Sequence, residues 1–212
     1  MNSHFPKLKE HLKLASSEQI RNMDSFGGNL VNASPIGDMT ILFLALNSDV
    51  IILDQDQNKR KKALKHFYQD YKTYDLKDGE LLKAISFKLP TMTSFFNFEK
   101  VCKRTHLDIA SVNSAIHISV ENNRISEAHI SIGGVAAIPK YLHETSKFII
   151  GKIHSSVTII EANNILQSEI LPISDVRGAS YYKRLLARQL FFAYFMELFP
   201  QQFTLNDFLQ HV

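Results

Sequence analysis

The stretch Ile20-Arg-Asn-Met-Asp-Ser-Phe-Gly-Gly-Asn-Leu-Val-Asn-Ala-Ser-Pro-Ile-Gly-Asp38 sets small, polar and turn-forming residues between two helical patterns. Gly27-Gly28 opens backbone conformations closed to other residues and lets a ligand approach the main chain. Ser25, Asn29, Asn32 and Ser34 add hydrogen-bond donors and acceptors. Pro35 suits a first helical position and opens the apolar run Met39-Thr-Ile-Leu-Phe-Leu-Ala-Leu46. Asp38 then falls in the first turn, where the helix dipole favours a carboxylate that can also accept from a ligand hydroxyl. Two readings stay open at this point: an ordinary loop with a good helix start, or one wall of a ligand site. A single Gly-Gly does not separate them.

Around this stretch, 212 residues suffice for one large domain or two small ones with real cores. Hydrophobic residues make up 45% and charged residues 21%, an ordinary globular balance. A net charge of +3, with no dense basic stripe interleaved with aromatics, argues against a nucleic-acid partner. The basic run Lys59-Arg-Lys-Lys62 is short and reads as a solvated edge. Cys102 is the only cysteine, so thiolate zinc sites, iron–sulfur clusters and disulfide frameworks are outside this chain's means. A lone thiol fits a reducing compartment. The first residues show no signal-peptide pattern, and the longest apolar runs are too short or too charged for a membrane span. The expectation is a cytoplasmic protein without a membrane partner.

Phe5 to Ala15 has helical spacing of apolar residues, and a second helix is expected over 35–48. Asp49-Val-Ile-Ile-Leu53 has strand character, Gln55 to Lys62 reads as a hairpin or loop, and Lys65 to Tyr71 as one or two helical turns. Asp78-Gly79 is a turn signal before a strand in which Leu81, Lys83, Ile85, Phe87 and Leu89 alternate until Pro90. A domain boundary is placed there, giving units 1–90 and 91–212. Ser94 to Arg104, Val112 to Glu121 and Arg124 to Ile132 read as three strands, with Asn122-Asn123 as the hairpin turn between the last two. Gly133-Gly134 closes that block. Helices are expected at 140–150, 158–169 and 180–198, and a short tail helix at 206–211. The last long helix is expected to carry Tyr182, Leu185, Leu186, Gln189, Leu190, Ala193 and Met196 near one face. Grouped rather than alternating elements argue for an α+β fold.

Candidate chemistry is sparse. The nine histidines form no His-x-x-x-His pair with a flanking carboxylate, so no metal ligand is assigned. His117 and His129 sit on strands as core-edge packing. Cys102 has Lys100, Lys103 and Arg104 nearby but reads as an inert strand thiol. No nucleophile elbow, Walker loop or dinucleotide fingerprint is present, and no catalytic residue is assigned. In Asp175-Val-Arg-Gly-Ala-Ser-Tyr-Tyr-Lys-Arg184, Ser180 is expected to cap the long helix while Asp175 and Arg177 hold the entering loop.

Several landmarks, taken in order, resemble the flavin-binding subunit of the xanthine dehydrogenase and carbon monoxide dehydrogenase family, the molybdenum hydroxylases. They are Gln19-Ile-Arg-Asn22, Ser25-Phe-Gly-Gly-Asn29, Ala33-Ser-Pro-Ile-Gly-Asp38, Gly79-Glu80 and the strand ending at Pro90. They continue with Lys100, Asp108-Ile-Ala110, Gly133-Gly134-Val-Ala-Ala-Ile-Pro139 and Ser174-Asp-Val-Arg-Gly178 ahead of Tyr182 and Arg184. The resemblance covers nearly all of the chain. It implies FAD as cofactor, held by Ser25, Gly27, Gly28 and Asn29, with Asp38 touching a hydroxyl of the cofactor's sugar-like chain. It implies Ile85 against the isoalloxazine and Lys100 near the ring, where a cation favours the reduced anion. The implied architecture is the remainder of a second FAD subdomain, a mixed or antiparallel sheet with flanking helices, followed by a three-stranded antiparallel sheet and a helical bundle.

The resemblance also implies an electron-transfer role. Iron–sulfur and molybdenum subunits or domains would be partners, NAD a possible acceptor and a homodimer a possible assembly. Set against the family, this chain is expected to lack the N-terminal subdomain whose Gly/Asn/Thr-rich loop holds the pyrophosphate, and Phe26 is larger than the family's usual residue. FAD binding by the chain alone is therefore expected to be weak or absent, with the other half of the site on another chain. The rival expectation is a remnant serving as an interaction or structural module without flavin.

Overall fold

A computed structural model describes residues 4–104 and 108–209. Three short helices come first: α1 (Leu8–Leu14), α2 (Glu18–Met23) and α3 (Phe26–Val31). Serine caps make the last two possible in so polar a stretch. Ser17 Oγ accepts from the Ile20 amide at 3.2 Å and Ser25 Oγ from the Gly28 amide at 3.0 Å. Gly27-Gly28 is thus helix, not the turn its composition suggests, and neither glycine has a positive φ. One N-cap bond, worth about 1 kcal/mol, offsets a helical glycine's penalty of similar size.

Helix α4 (Asp38–Ala45) starts later than expected. Pro35 lies in a turn closed by the Gly37 amide on the Ser34 carbonyl at 3.0 Å, and Gly37 is the N-cap. Pro35 instead offers its carbonyl to the Gly134 amide at 3.0 Å. Asp38 lies in the first turn as expected, but as the first helical residue. Residues Thr40 to Ala45 are all buried, as in a helix covered on every side.

Strand β1 (Asp49–Leu53) is central to a small antiparallel sheet, between β2 (Lys59–Ala63) and a later strand. The segment expected as helical turns is one 3-10 turn, Leu64–His66, leading to a ribbon of β3 (Tyr68–Asp70) and β4 (Thr73–Tyr74). Strand β5 (Leu81–Ser86) follows the Gly79 turn and completes the first sheet. A bulge breaks its expected alternation: Ile51 pairs with Ala84 but Ile52 with Leu82, leaving Lys83 between them. The bulge turns Leu82 inward with Ile85 and Phe87, while Leu81 is 53% exposed.

The second sheet runs β6 (Ser94–Val101), β7 (Val112–Glu121), β8 (Arg124–Gly133) and β9 (Lys140–Tyr141). It has four strands rather than three, because residues 140–141 pair with β8 instead of starting a helix. Asn122 and Asn123 have φ of 51° and 58°, the left-handed pair that a tight hairpin needs. Strand β7 is buried on both faces: Val112, Ile116 and Ile118 meet one core, Ala115 the other. The first face is covered by α5 (His143–Ile149), α6 (Ser156–Glu169) and α7 (Ser180–Leu198), the second by α4.

Helix α7 differs from expectation in two respects. Ser180 is its first residue rather than its cap, and its amide donates to Ser174 Oγ at 2.9 Å. The buried face runs through Lys183, Ala187, Leu190, Phe191, Tyr194 and Phe195, leaving Tyr182 and Leu185 largely outside. Asp175 and Arg177 do meet in the entering loop, at 3.4 Å, and Asp175 also pairs with the buried Lys183 at 2.9 Å. The expected tail helix is a 3-10 turn, Leu205–Asp207, and residues 210–211 of that expectation lie outside the described residues. No helix among the described residues is long and apolar enough to cross a membrane.

Candidate functional site

Helices α1, α3 and α4 and strand β5 enclose an apolar cavity of about 610 Å³. Phe26, Gly27, Met39, Phe43, Ile85 and Phe87 are among its walls. A Cβ on Gly27 would sit 3.9 Å from the Leu82 carbonyl oxygen, so α3 passes close to the β5 main chain. A second cavity of about 430 Å³ adjoins the first; most of its exposed wall is apolar as well, but it is the more polar of the two, with Ser16, Arg21, Asp24, Ser25, Asn29 and Asp38 in its lining. Leu12, Phe26 and Met39 belong to both, so these side chains form the partition. Phe26 is 55% exposed and meets Phe43 edge-on at 5.5 Å.

The candidate residues from the sequence divide among these places. Ser25, Asn29 and Asp38 share the polar cavity, and Gly27 and Ile85 face the apolar one. Gly28 lines neither cavity among those described, and its amide completes the Ser25 cap. Asn29 Oδ1 accepts from Thr40 Oγ1 at 3.4 Å. Asp38 is held on both oxygens: Asn113 Nδ2 donates to Oδ1 at 2.7 Å, and Lys100 Nζ to Oδ2 at 2.8 Å. Lys100 also donates to the Leu14 carbonyl at 2.9 Å and its side chain is 4% exposed, so it lies beneath Asp38 rather than in either cavity. Burial pushes the Asp38 carboxyl above the usual carboxylate value, against the pull of Lys100 and Asn113.

Two residues of this region escaped sequence reasoning. Arg21 donates through Nη1 to the carbonyls of Ala15 at 2.8 Å and Ser16 at 2.7 Å, tying down the rim of the polar cavity. Its signal was present in Gln19-Ile-Arg-Asn22, where no role was attached to it. Asn113 gave only its parity, a polar residue on the α4 side of a strand. The other candidates behave as packing. His117 and His129 stack at 6.1 Å, and Cys102 Sγ donates to the Arg104 carbonyl at 2.7 Å with its thiol pKa pushed up by burial. Among the described residues, no group of three His, Cys, Asp or Glu side chains is arranged to hold a metal.

This fold and cleft have known counterparts. The family described as the FAD binding domain in molybdopterin dehydrogenase matches residues 1–91. The family described as the CO dehydrogenase flavoprotein C-terminal domain matches residues 98–198. The glyceraldehyde dehydrogenase medium chain of Sulfolobus acidocaldarius is 29% identical over 198 residues, covering 93% of this chain and 69% of that one. A xanthine dehydrogenase of Oryza sativa is 31% identical over 195 residues, covering 88% of this chain and 14% of that protein. The reconstituted CO dehydrogenase from Oligotropha carboxidovorans superposes with a TM-score of 0.82 at 25% identity, covering 89% of this chain and 65% of that one. The two matched families and the shared fold define an α+β flavoprotein subunit. The chain belongs to the FAD-binding subunits of the molybdenum hydroxylases, the CO dehydrogenase and xanthine dehydrogenase family. FAD is the cofactor that this membership assigns. The chain spans about two thirds of the medium chains it matches and a small part of the xanthine dehydrogenases.

Proposed function

We propose that this chain supplies the isoalloxazine and ribityl wall of an FAD site in a multi-subunit molybdenum hydroxylase, the pyrophosphate wall lying outside these 212 residues. One observation carries the reading: an apolar cavity of about 610 Å³ opens beside a more polar one of about 430 Å³ that has Ser25, Asn29 and Asp38 in its wall. A flat ring joined to a polyol needs that pairing of surfaces. Gly27 and Ile85 admit and face the ring. Ser25, Asn29 and Asp38 offer oxygens to the polyol, and the Ser25–Gly28 cap keeps the α3 entrance in shape. Lys100 and Asn113 act as positioning residues, aiming the Asp38 carboxylate. Phe26 controls passage between the two halves.

Bound flavin supplies electron transfer in one- or two-electron steps. The chain's own residues bind and orient it and keep water from the ring face. Iron–sulfur and molybdenum subunits are the proposed partners, by analogy with the medium chains. The oxidised substrate is chosen there, and NAD is one acceptor consistent with the family.

Calorimetric titration of the purified chain with FAD and with riboflavin tests this division of the site. Both are expected to bind with a Kd weaker than about 1 μM and within about threefold of each other. FAD binding more than about tenfold tighter than riboflavin would place a pyrophosphate wall within this chain. Binding of neither would remove the ring wall and favour a module without flavin.

A further inference from the structure

His11 is the one side chain of α1 that is buried, 5% exposed, and it sits against β6. Its ring meets Phe96 at 5.7 Å and Phe98 at 6.3 Å, both edge-on. Nε2 lies 2.9 Å from Asn97 Oδ1. The buried Asn97 decides which of the two carries the hydrogen. Its Nδ2 donates to Glu99 Oε1 at 3.1 Å and to Glu197 Oε2 at 3.0 Å, and its Oδ1 also accepts from the Phe98 amide at 3.0 Å. Both carboxyl groups need the amide nitrogen and the Phe98 amide needs the oxygen, so Asn97 is not free to turn over. Nε2 is therefore the protonated nitrogen of a neutral imidazole. Nδ1 is left as a buried acceptor with no partner. A second proton there would create a buried N–H cation with no acceptor, which is costly.

We propose that His11 is a proton-operated latch: neutral, it holds α1 closed over the apolar cavity, and protonated, it releases the helix. Helix α1 packs on β6 and gives Leu8 and Leu12 to the cavity wall, with Phe5 just before it. Its two ends are fastened unequally. The buried Lys100 donates to the Leu14 carbonyl at 2.9 Å, whereas Lys7 pairs with Glu197 where both side chains are partly exposed. An exposed pair adds little, so the Leu14 end is the hinge and the Phe5 end swings. Burial holds the His11 imidazole below the ordinary 6.5. The Asn97 bond, Glu10 on α1 and Glu197 on α7 pull the other way and Lys7 pulls with burial, while Glu99 on β6 meets Asn97 rather than the ring. The released helix carries an ordinary histidine and so takes the proton at higher pH. The latch therefore holds fully above about pH 6.5 and weakens as pH falls toward the folded value. It is a property of α1 itself and needs no bound flavin.

Hydrogen exchange of the full chain, read segment by segment between about pH 7.5 and about pH 5 and corrected for the intrinsic pH dependence of exchange, tests it. Protection of α1 should be flat above about pH 6.5 and fall by up to about tenfold per pH unit below it, while β7 and β8 keep theirs. His11→Gln keeps a donor for Asn97 and His11→Phe keeps the ring packing, and neither side chain titrates in this range. Each should make α1 protection independent of pH, and a melting curve on each shows that the chain is folded. Wild-type α1 protection that stays flat down to about pH 5, or that falls only together with that of β7 and β8, overturns the proposal. So does the same fall in a folded His11→Gln variant.

Discussion

Lys100 Nζ lies 2.8 Å from Asp38 Oδ2, joining β6 to the first residue of α4 across 62 positions of sequence. The side chains are 4% and 14% exposed, so both charges are largely out of water. Desolvation of such a pair competes with its attraction, and the net upward push on the Asp38 carboxyl reflects that balance. Its role is to fix where α4 begins relative to the second sheet, and hence where the polar cavity's carboxylate points.

Removing one partner leaves the other charge buried. Lys100→Met is expected to destabilise by about 3–5 kcal/mol, whereas the double change Asp38→Leu with Lys100→Met recovers most of that loss. Urea melts of the single and double variants check this. A double variant as unstable as Lys100→Met would show that the pair contributes net stability of its own.

The close approach of Gly133 and Gly134 to the Pro35 turn gives a second expectation. A Cβ at Gly133 would lie 2.1 Å from Asn113 Oδ1 and 2.8 Å from the Pro35 carbonyl oxygen. At Gly134, with φ +83°, it would lie 2.4 Å from the Ser111 carbonyl oxygen. Alanine at either position should cost about 1–3 kcal/mol or more. Gly151 has φ +80° but nothing within 4 Å, so Gly151→Ala should cost only the left-handed strain of about 1–2 kcal/mol. Equal losses at all three sites would refute crowding as the cause.

Stability should also fall in mild acid. Burial holds the imidazoles of His117, His129 and His154 below the ordinary 6.5. His117 is 7% exposed with both ring nitrogens unpartnered. Around it, Glu127 on β8 favours its protonation and His129 opposes it, while Asp49 on β1, Lys61 on β2 and Lys88 beyond β5 line the same cavity. A folded pKa below the unfolded one means the unfolded chain binds more protons. The stability contribution is therefore complete above about pH 6.5 and is lost as pH falls through the folded value. His117→Phe should flatten the fall between about pH 7 and 5 by up to one bound proton. Chemical denaturation at a series of pH values measures the slope, and an unchanged slope would acquit His117.

Phe26 divides the cleft. Replacing it by valine should merge the apolar and polar cavities and raise riboflavin affinity by about three- to tenfold. Because Phe26 is 55% exposed, the change should cost less than about 1 kcal/mol. Fluorescence titration reads the affinity; weaker binding would mean that the Phe26 ring itself packs on the flavin.

Much of the fold was legible in the sequence because it rests on local periodicity. The ends of β7, the Asn122-Asn123 turn and the full span of α7 agree with their expected positions. Asp38 in the first turn of a helix was legible for the same reason, since acidic residues suit that turn, whereas the expected start at Pro35 was displaced to Asp38. Elsewhere tertiary partners decided the outcome. Lys140 and Tyr141 became a strand because β8 offered an edge. The bulge at Lys83 put Leu82 rather than Leu81 inward while leaving Ile85 and Phe87 on the expected side. On α7, Lys183 took a core position because Asp175 and the Ile173 carbonyl were there to receive its charge.

The candidate site divides along the same line. By itself the sequence determined the residue types: the polar side chains from Ser25 to Ser34, the paired glycines, the first-turn carboxylate and the order of landmarks that mark a flavin subunit. These depend on neighbours within one or two turns of chain. Only the tertiary structure decided that Asp38 is held by Lys100 and Asn113, that Gly27 and Ile85 face one cavity while Ser25 and Asn29 face the next, and that Phe26 stands between them. Those are distances between residues far apart in sequence, set by how two sheets close on α4, and no local period encodes them.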